Sequence, residues 1–307
     1  MSLCIWLLLA TIVISYLMQT SMSQDWTEEI AKQLLSRDLM RRGTCLVLGS
    51  ADTGKTALVT AIAKHAANSQ PVGIVDADIG QSHIGPPTTV GWAIVDGSQM
   101  DFSQLAIGGI SFVGDIAPTG HLLQLTAAII QCVQQSSKLA EVIIIDTPGF
   151  IYGPAASALW WTMQGILQPE LILAVERSDE LSDILGGLQY HHSKLERIKC
   201  PSQLPTKSQQ ERRKYRQNQW SKYFQHSCLY NIKLSDIAVQ ISRNSRSKNL
   251  VNRLTALNDG NGKDLSIGLI TDWQLDSEII EVRSPQIDIQ KIRCLVVGDI
   301  TINITNE

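Results

Sequence analysis

The stretch Gly49-Ser50-Ala51-Asp52-Thr53-Gly54-Lys55-Thr56 fits the pattern G-x-x-x-x-G-K-[ST] at every fixed position. It follows Thr44-Cys45-Leu46-Val47-Leu48, a short apolar run that reads as a buried strand. It precedes Ala57, Leu58, Ala61, Ile62 and Ala63, good helix formers that predict a helix. Strand, glycine loop and helix in that order aim backbone N–H groups and a positive helix end at an anion. The predicted phosphate-contacting residues are therefore Gly49 through Thr56 and the following Ala57. Lys55 adds a full charge for the β/γ oxygens, and the Thr56 hydroxyl is suited to hold Mg²⁺. The pattern predicts a nucleoside triphosphate ligand.

Working outward, Val72-Gly73-Ile74-Val75 is a second strand, running straight into Asp76-Ala77-Asp78-Ile79-Gly80-Gln81. Acidic residues at the C-terminal end of a parallel strand lie on the ligand edge of an open α/β sheet. Asp76 and Asp78 are two apart and share a face of an extended backbone. Such a pair suits metal binding or acceptance of a proton from an attacking hydroxyl; capping of the next turn is the structural alternative. Further on, Phe112-Val113-Gly114-Asp115 reads as a strand end. A helix to about Gln135 follows, with Thr119 as its expected cap and His121 at its start. Val142-Ile143-Ile144-Ile145 leads into Asp146-Thr147-Pro148-Gly149-Phe150, and Leu171-Ile172-Leu173-Ala174-Val175 is a further strand. Alternating strands and helices with near-continuous apolar strands predict a parallel sheet covered on both faces.

The 307 residues leave room for one large α/β domain and a smaller one. The net charge of −3 conceals an uneven distribution. Between His191 and His226 nine Lys/Arg face only Glu196 and Glu211, which points to an anionic partner. Within that stretch, Ser208 begins a predicted helix through Phe224, on which Arg212 and Arg216 share a face beside Arg213. The six scattered cysteines form neither a zinc pattern nor a disulfide framework, so the compartment reads as reducing and cytoplasmic.

Four segments emerge. Residues 1–22 are hydrophobic, read as an over-extended start or as a membrane anchor through 3–18 with the remainder kept in the cytoplasm. Residues 23–42 form an amphipathic helix, with Trp26, Ile30 and Leu34 on one face. Residues 43–227 form the P-loop domain, with a basic lid at about 200–226. Residues 228–307 carry short strands around the turn Asn258–Gly262 and form a small β domain.

Taken together, these motifs resemble the P-loop polynucleotide 5′-hydroxyl kinases, the group containing the pre-mRNA cleavage-factor kinase, the nucleolar pre-rRNA kinase and archaeal RNA kinases. GSADTGKT is similar to their nucleotide loop, and VDADIGQ to their D-x-D-x-G-Q motif, with Asp78 at the catalytic carboxylate. FVGDIAPTGH resembles their next strand end. DTPGF falls where they have T-x-G-W, a clasp over the phosphates, with Phe150 in place of Trp. ERRKYRQNQWSKYF resembles their arginine lid. The resemblance implies a P-loop NTPase fold with a three-layer parallel sheet, a helical lid and a small C-terminal β domain. It implies ATP and Mg²⁺ as cofactors, 5′-hydroxyl RNA or DNA as acceptor, and RNA-processing proteins as partners. It also implies roles: Lys55, Asp78, Arg212 and Arg216 catalytic; Thr147 with the loop on nucleotide; Asp76, Gln81, Phe150 and Arg213 on substrate; Thr56 and Asp78 on metal. About twenty residues stand between the hydrophobic segment and Gly43, where the family has an N-terminal β domain that contacts adenine.

Two other readings share the P-loop. A GTPase-like switch fits D-x-P-G at Asp146–Gly149, but no N/T-K-x-D motif for guanine occurs in the chain. A catalytically silent ATP-binding scaffold of an RNA-processing assembly is the other.

Overall fold

The apolar runs become buried strands. The computed structural model describes residues 26–39, 41–97, 105–188, 193–241, 249–274 and 278–303. They fall into two compact units, each discontinuous in sequence. The first holds the described residues up to Ile74, Val95 to residue 97, and Ala140–Lys207. The second holds Val75–Ile94, residue 105 to Leu139, and the described residues from Ser208 on.

In the first unit β1 (Gly43–Gly49) pairs in parallel with β5 (Val142–Asp146) on one side and β6 (Leu171–Glu176) on the other. β7 (Lys194–Lys199) extends the sheet, parallel to β6. Cys45 to Leu48, Val142 to Ile145 and Leu171 to Val175 are all buried, which is the signature of a sheet covered on both faces. Cover comes from α2 (Lys55–Ala66), which buries Leu58, Val59 and Ile62, and from α4 (Pro154–Leu167), which buries Leu159, Trp160 and Met163. The helix over residues 26–36, α1, buries Ala31 and Leu34 and is held to α2 where Glu28 meets Lys64 at 3.4 Å and His65 Nε2 at 2.5 Å. A short helix, α5 (Ser182–Leu188), follows β6. β2 (Val72–Asp76) leaves this unit at Ile74.

β7 was not legible as a strand, because it alternates charge with Leu195 and Ile198 rather than forming an apolar run. Arg197 there pairs with Glu176 at 2.6 Å and Asp179 at 3.1 Å, and Glu196 with Arg37 at 2.8 Å. Part of the basic stretch is thus a strand carrying salt bridges, and Arg212, Arg213, Lys214, Arg216 and Lys222 lie on the helix after it.

In the second unit β3 (Thr89–Val95) and β4 (Gly109–Phe112) form an antiparallel pair, and α3 (Leu122–Ser136) holds both: Gln135 accepts from the Trp92 indole at 3.0 Å, and Gln131 from Ser111 at 2.8 Å. α3 starts after His121 with no side-chain cap, so Thr119 is not the cap expected of it. β4 meets β11 (Asp264–Gln274) at Ile110 and Asp264, whose carboxylate also accepts from the Phe112 N–H at 2.7 Å. The β3–β4 pair thus meets the C-terminal strands within the second unit, and each unit is assembled from stretches separated in sequence.

The remaining strands are β8 (Ser227–Lys233), β9 (Ala238–Ile241), β10 (Arg253–Asn258), β12 (Ile279–Pro285) and β13 (Cys294–Thr301). β10 pairs with β11 and β13, β12 with β11 and β8, all antiparallel; β9 joins β13 in parallel. Ile270, Ile280, Val282 and Leu295 fill one core of this module. α6 (Gln209–Phe224) closes a second core by setting Trp220 and Phe224 against Leu254, Ile267 and Leu269. Its start is a capping box, Ser208 accepting from the Glu211 N–H while Glu211 accepts from the Ser208 N–H at 2.7 Å. Among the described residues no helix is long and apolar enough to cross a membrane; the hydrophobic segment 3–18 lies outside them.

Candidate active site

The first unit builds the phosphate loop. Asp52 (φ 59°) and Gly54 (φ 82°) turn the chain through the left-handed region. At Gly54 a side chain would also press on the Trp26 ring, 3.1 Å from a Cβ. At Gly49 a Cβ would lie 2.4 Å from the Val175 carbonyl oxygen, so the strand exit requires glycine. Thr53 Oγ1 and Lys55 Nζ both donate to the Ser50 carbonyl, at 3.0 and 2.7 Å, closing the loop on itself. The N-terminus of α2 has no side-chain cap and no acidic residue in its first turn. Its amides are left for an anion.

Supports surround this loop. Arg177 donates to the carbonyls of Asp52 (2.6 Å) and Ala51 (3.4 Å). Glu180 accepts from the backbone N–H of Arg177 and Ser178 and from the Ser50 hydroxyl at 3.5 Å. Desolvation raises its carboxyl pKa, but these N–H groups prevail and hold it below the usual carboxylate range. The Lys207 N–H donates to Asp52 Oδ2 at 3.1 Å. Gly149 abuts the loop so closely that a Cβ would sit 2.5 Å from the Ala51 nitrogen. Phe150, next in line, is fixed through its carbonyl by the Trp160 indole at 2.7 Å.

One residue departs from the expected assignment. Thr147 is fully buried and donates its hydroxyl to the Val47 carbonyl at 2.6 Å, so its side chain ties the end of β5 to β1 rather than reaching nucleotide. Thr56 has as its carboxylate partner Asp146, which accepts its hydroxyl at 2.5 Å. An alcohol and a carboxylate at the end of a buried strand are hard oxygen donors, and they fit Mg²⁺.

The second unit collects the other predicted residues. Asp76 is buried at the end of β2 and accepts from the N–H groups of Asp78, His83 and Ile84 and from the Ser82 hydroxyl. Burial pushes its carboxyl up to about 7, with the nearby Asp78 contributing, although these N–H bonds oppose the shift. Asp76 therefore organises the loop; its side chain is committed there and not to substrate. Asp78 is half-exposed and caps the turn with one oxygen, Oδ1 accepting from Gly80 at 3.1 Å and Gln81 at 3.0 Å. Gln81 is itself buried beneath that turn.

α6 is pinned to this loop. Tyr215 donates to the Ser82 carbonyl at 2.8 Å and stacks obliquely with His83 at 5.7 Å, while the Trp220 indole donates to Pro87 at 3.3 Å. Burial, with Asp76 and Asp78 adding to it against a bond from Gln219, pushes the Tyr215 phenol up to about 12. Arg212 and Arg216 are half-buried on the inner side of the helix, and Arg213 is exposed. Burial and then the charges of Arg212 and Arg213 lower the Arg216 pKa, with Asp78 pulling the other way. His121 is buried, its Nε2 3.0 Å from Asp299 and its Nδ1 3.9 Å from Asp115, and acts as a joint between the β4–α3 loop and β13.

Asp146 was visible in the sequence as a strand-end acid, but its partnership with Thr56 was not. Arg177, Glu180 and Tyr215 carry no motif and escaped notice. Asp52 and Gly149 owe their places to backbone shape.

Strand, glycine loop and uncapped helix define the P-loop class of phosphate-binding α/β folds. Residues 49–226 match the family described as mRNA cleavage and polyadenylation factor CLP1 P-loop, and the chain belongs to that family. A polyribonucleotide 5′-hydroxyl-kinase of Pyrococcus horikoshii is 32% identical over 211 residues, covering 68% of this chain and 57% of the relative. One from Methanocaldococcus jannaschii is 29% identical over 195 residues, covering 63% and 54%. The chain thus spans just over half the length of these relatives. The structure of the wild-type Clp1p–Pcf11p complex superposes with a TM-score of 0.68 at 13% identity, covering 90% of this chain and 79% of that one, a likeness of fold.

Proposed function

We propose that this protein is an ATP-dependent polynucleotide 5′-hydroxyl kinase that transfers the γ-phosphoryl group to the 5′-OH of RNA in a reducing, cytoplasmic setting. The observation that carries this reading is the pairing of chemistries: a complete phosphate loop in one unit, and in the other a half-exposed carboxylate, Asp78, in the field of Arg216. A phosphate loop alone fits any nucleotide switch. An acid and a guanidinium together fit transfer to an alcohol. The names of the relatives support RNA as acceptor.

In this mechanism the loop amides and Lys55 neutralise the β/γ oxygens, which need charge stabilisation as the bond to the leaving oxygen loosens. Thr56 and Asp146 would hold Mg²⁺, which supplies further neutralisation of the phosphates when bound. Asp78 accepts the proton of the attacking 5′-hydroxyl, its Oδ1 locked by Gly80 and Gln81 so that the carboxylate does not rotate. Arg212 and Arg216 meet the equatorial oxygens. Phe150 and Arg213 contact substrate.

The test is incubation with γ-labelled ATP or GTP and 5′-hydroxyl RNA and DNA oligonucleotides. Label on the oligonucleotide from ATP supports the reading. GTP hydrolysis without transfer supports a switch, and ATP binding without turnover a scaffold.

A further inference from the structure

The arginines of α6 also border a space with no role in the chemistry just described. A groove of about 510 Å³ opens in the second unit between α6 and the end of β13. Arg213 and Arg216 line it from the helix, Ile116, Trp220 and Ile300 give it apolar walls, and Thr301 stands at its β13 side. Trp220 is almost wholly buried and its indole N–H is already bonded to Pro87, so that wall is fixed before anything binds.

We propose that this groove holds a nucleotide of the acceptor strand on the 3′ side of the reacting one, its phosphate at Arg213 and Arg216 and its base against Ile116 and Ile300. The inference rests on the kinase reading for its direction: an acceptor whose 5′ end is at Asp78 extends only toward its 3′ end. Three further facts support it. Arg216 belongs both to the groove and to the surroundings of Asp78, so the groove starts beside the candidate base. Arg212, Arg213 and Arg216 crowd within little more than one turn of helix, and an incoming phosphate relieves that repulsion. The volume lies in the range of small-molecule sites and accommodates one nucleotide. Guanidinium on backbone and apolar side chains on a base make a sequence-tolerant, single-strand contact.

The test places a negative charge in the groove without touching the chemistry. Thr301 is exposed, so Thr301→Glu is compatible with the fold, and Thr301→Gln controls for size. Binding of a labelled 5′-hydroxyl hexaribonucleotide to the full chain is followed by fluorescence anisotropy, and phosphorylation is compared between that oligonucleotide and a nucleoside that carries no phosphate. Thr301→Glu is expected to weaken hexanucleotide binding about tenfold, with Thr301→Gln unchanged. Its kcat/KM is expected to fall for the hexanucleotide and to stay at the wild-type value for the nucleoside. Hexanucleotide binding as tight as wild type in Thr301→Glu overturns the proposal, and so does an equal loss on both acceptors; a groove reserved for a protein partner would give the first result. Should the wild-type chain phosphorylate neither acceptor, the kinase reading fails, while the anisotropy series still decides whether the groove takes nucleic acid.

Discussion

The Thr56 hydroxyl donates to the Asp146 carboxylate at 2.5 Å, joining the first turn of α2 to the last residue of β5. Strand end and helix start are thereby fixed to one another on the ligand edge of the parallel sheet, where an oxygen-ligated cation bound to phosphate belongs. Asp146→Ala is expected to raise the Mg²⁺ concentration required for half-maximal transfer and to cut kcat by about 10² or more. A Mg²⁺ titration of both proteins checks it, and an unchanged titration curve would remove Asp146 from the metal site.

Asp78→Asn keeps a carbonyl oxygen for Gly80 and Gln81, so the turn survives and only the basic oxygen is lost. ATP affinity is expected to hold while kcat falls by about 10²–10⁴. Collapse of ATP affinity with kcat preserved would make Asp78 a binding residue.

Asp76 predicts a pH signature in stability. Its folded carboxyl is pushed up to about 7 from an ordinary 3.8. Between those values the folded chain holds a proton that the unfolded chain has released. The stabilisation is therefore complete below about 4 and is lost as pH rises through about 7. Asp76→Asn carries no titrating proton, so its melting temperature is expected to fall less steeply than the wild type's across that window. Parallel profiles would contradict the buried, organising role.

Tyr215→Phe removes the bond to the Ser82 carbonyl and is expected to cost about 0.5–1.5 kcal/mol in denaturant unfolding. Because that bond pins α6 to the Asp78 loop, kcat is expected to fall more than KM rises. Arg216→Ala should show the same split more strongly, since its contact tightens as charge spreads in the transition state. A pure KM effect in both would return α6 to nucleic-acid binding alone.

The sequence exposed what depends on local pattern. Gly49–Thr56 declared loop and helix together, and Val142–Ile145 and Leu171–Val175 declared buried parallel strands, because continuous apolar runs have few other uses. Ser208 announced the start of α6. What stayed hidden depends on contacts distant in sequence. β7 is an edge strand whose charges pair with Glu176, Asp179 and Arg37. β4 meets the C-terminal strands at Asp264, which pairs with Ile110 and accepts from the Phe112 N–H. At the site, residue types suggested ligands where the structure places joints: Thr147 tied to Val47, and Asp76 to its own loop. Conversely, Arg177 and Glu180 support the phosphate loop from beyond β6 with no motif to mark them.

Phosphoryl transfer to an alcohol by this chain requires both a triphosphate loop and a base that activates the hydroxyl. Single-turnover transfer from γ-labelled ATP to a 5′-hydroxyl RNA oligonucleotide, run with wild type, Lys55→Ala and Asp78→Asn, tests it most directly. Label is expected at the RNA 5′ end with wild type, none with Lys55→Ala, and slow transfer with intact ATP binding for Asp78→Asn. Label released only as inorganic phosphate, or transfer at the wild-type rate by either variant, would contradict it.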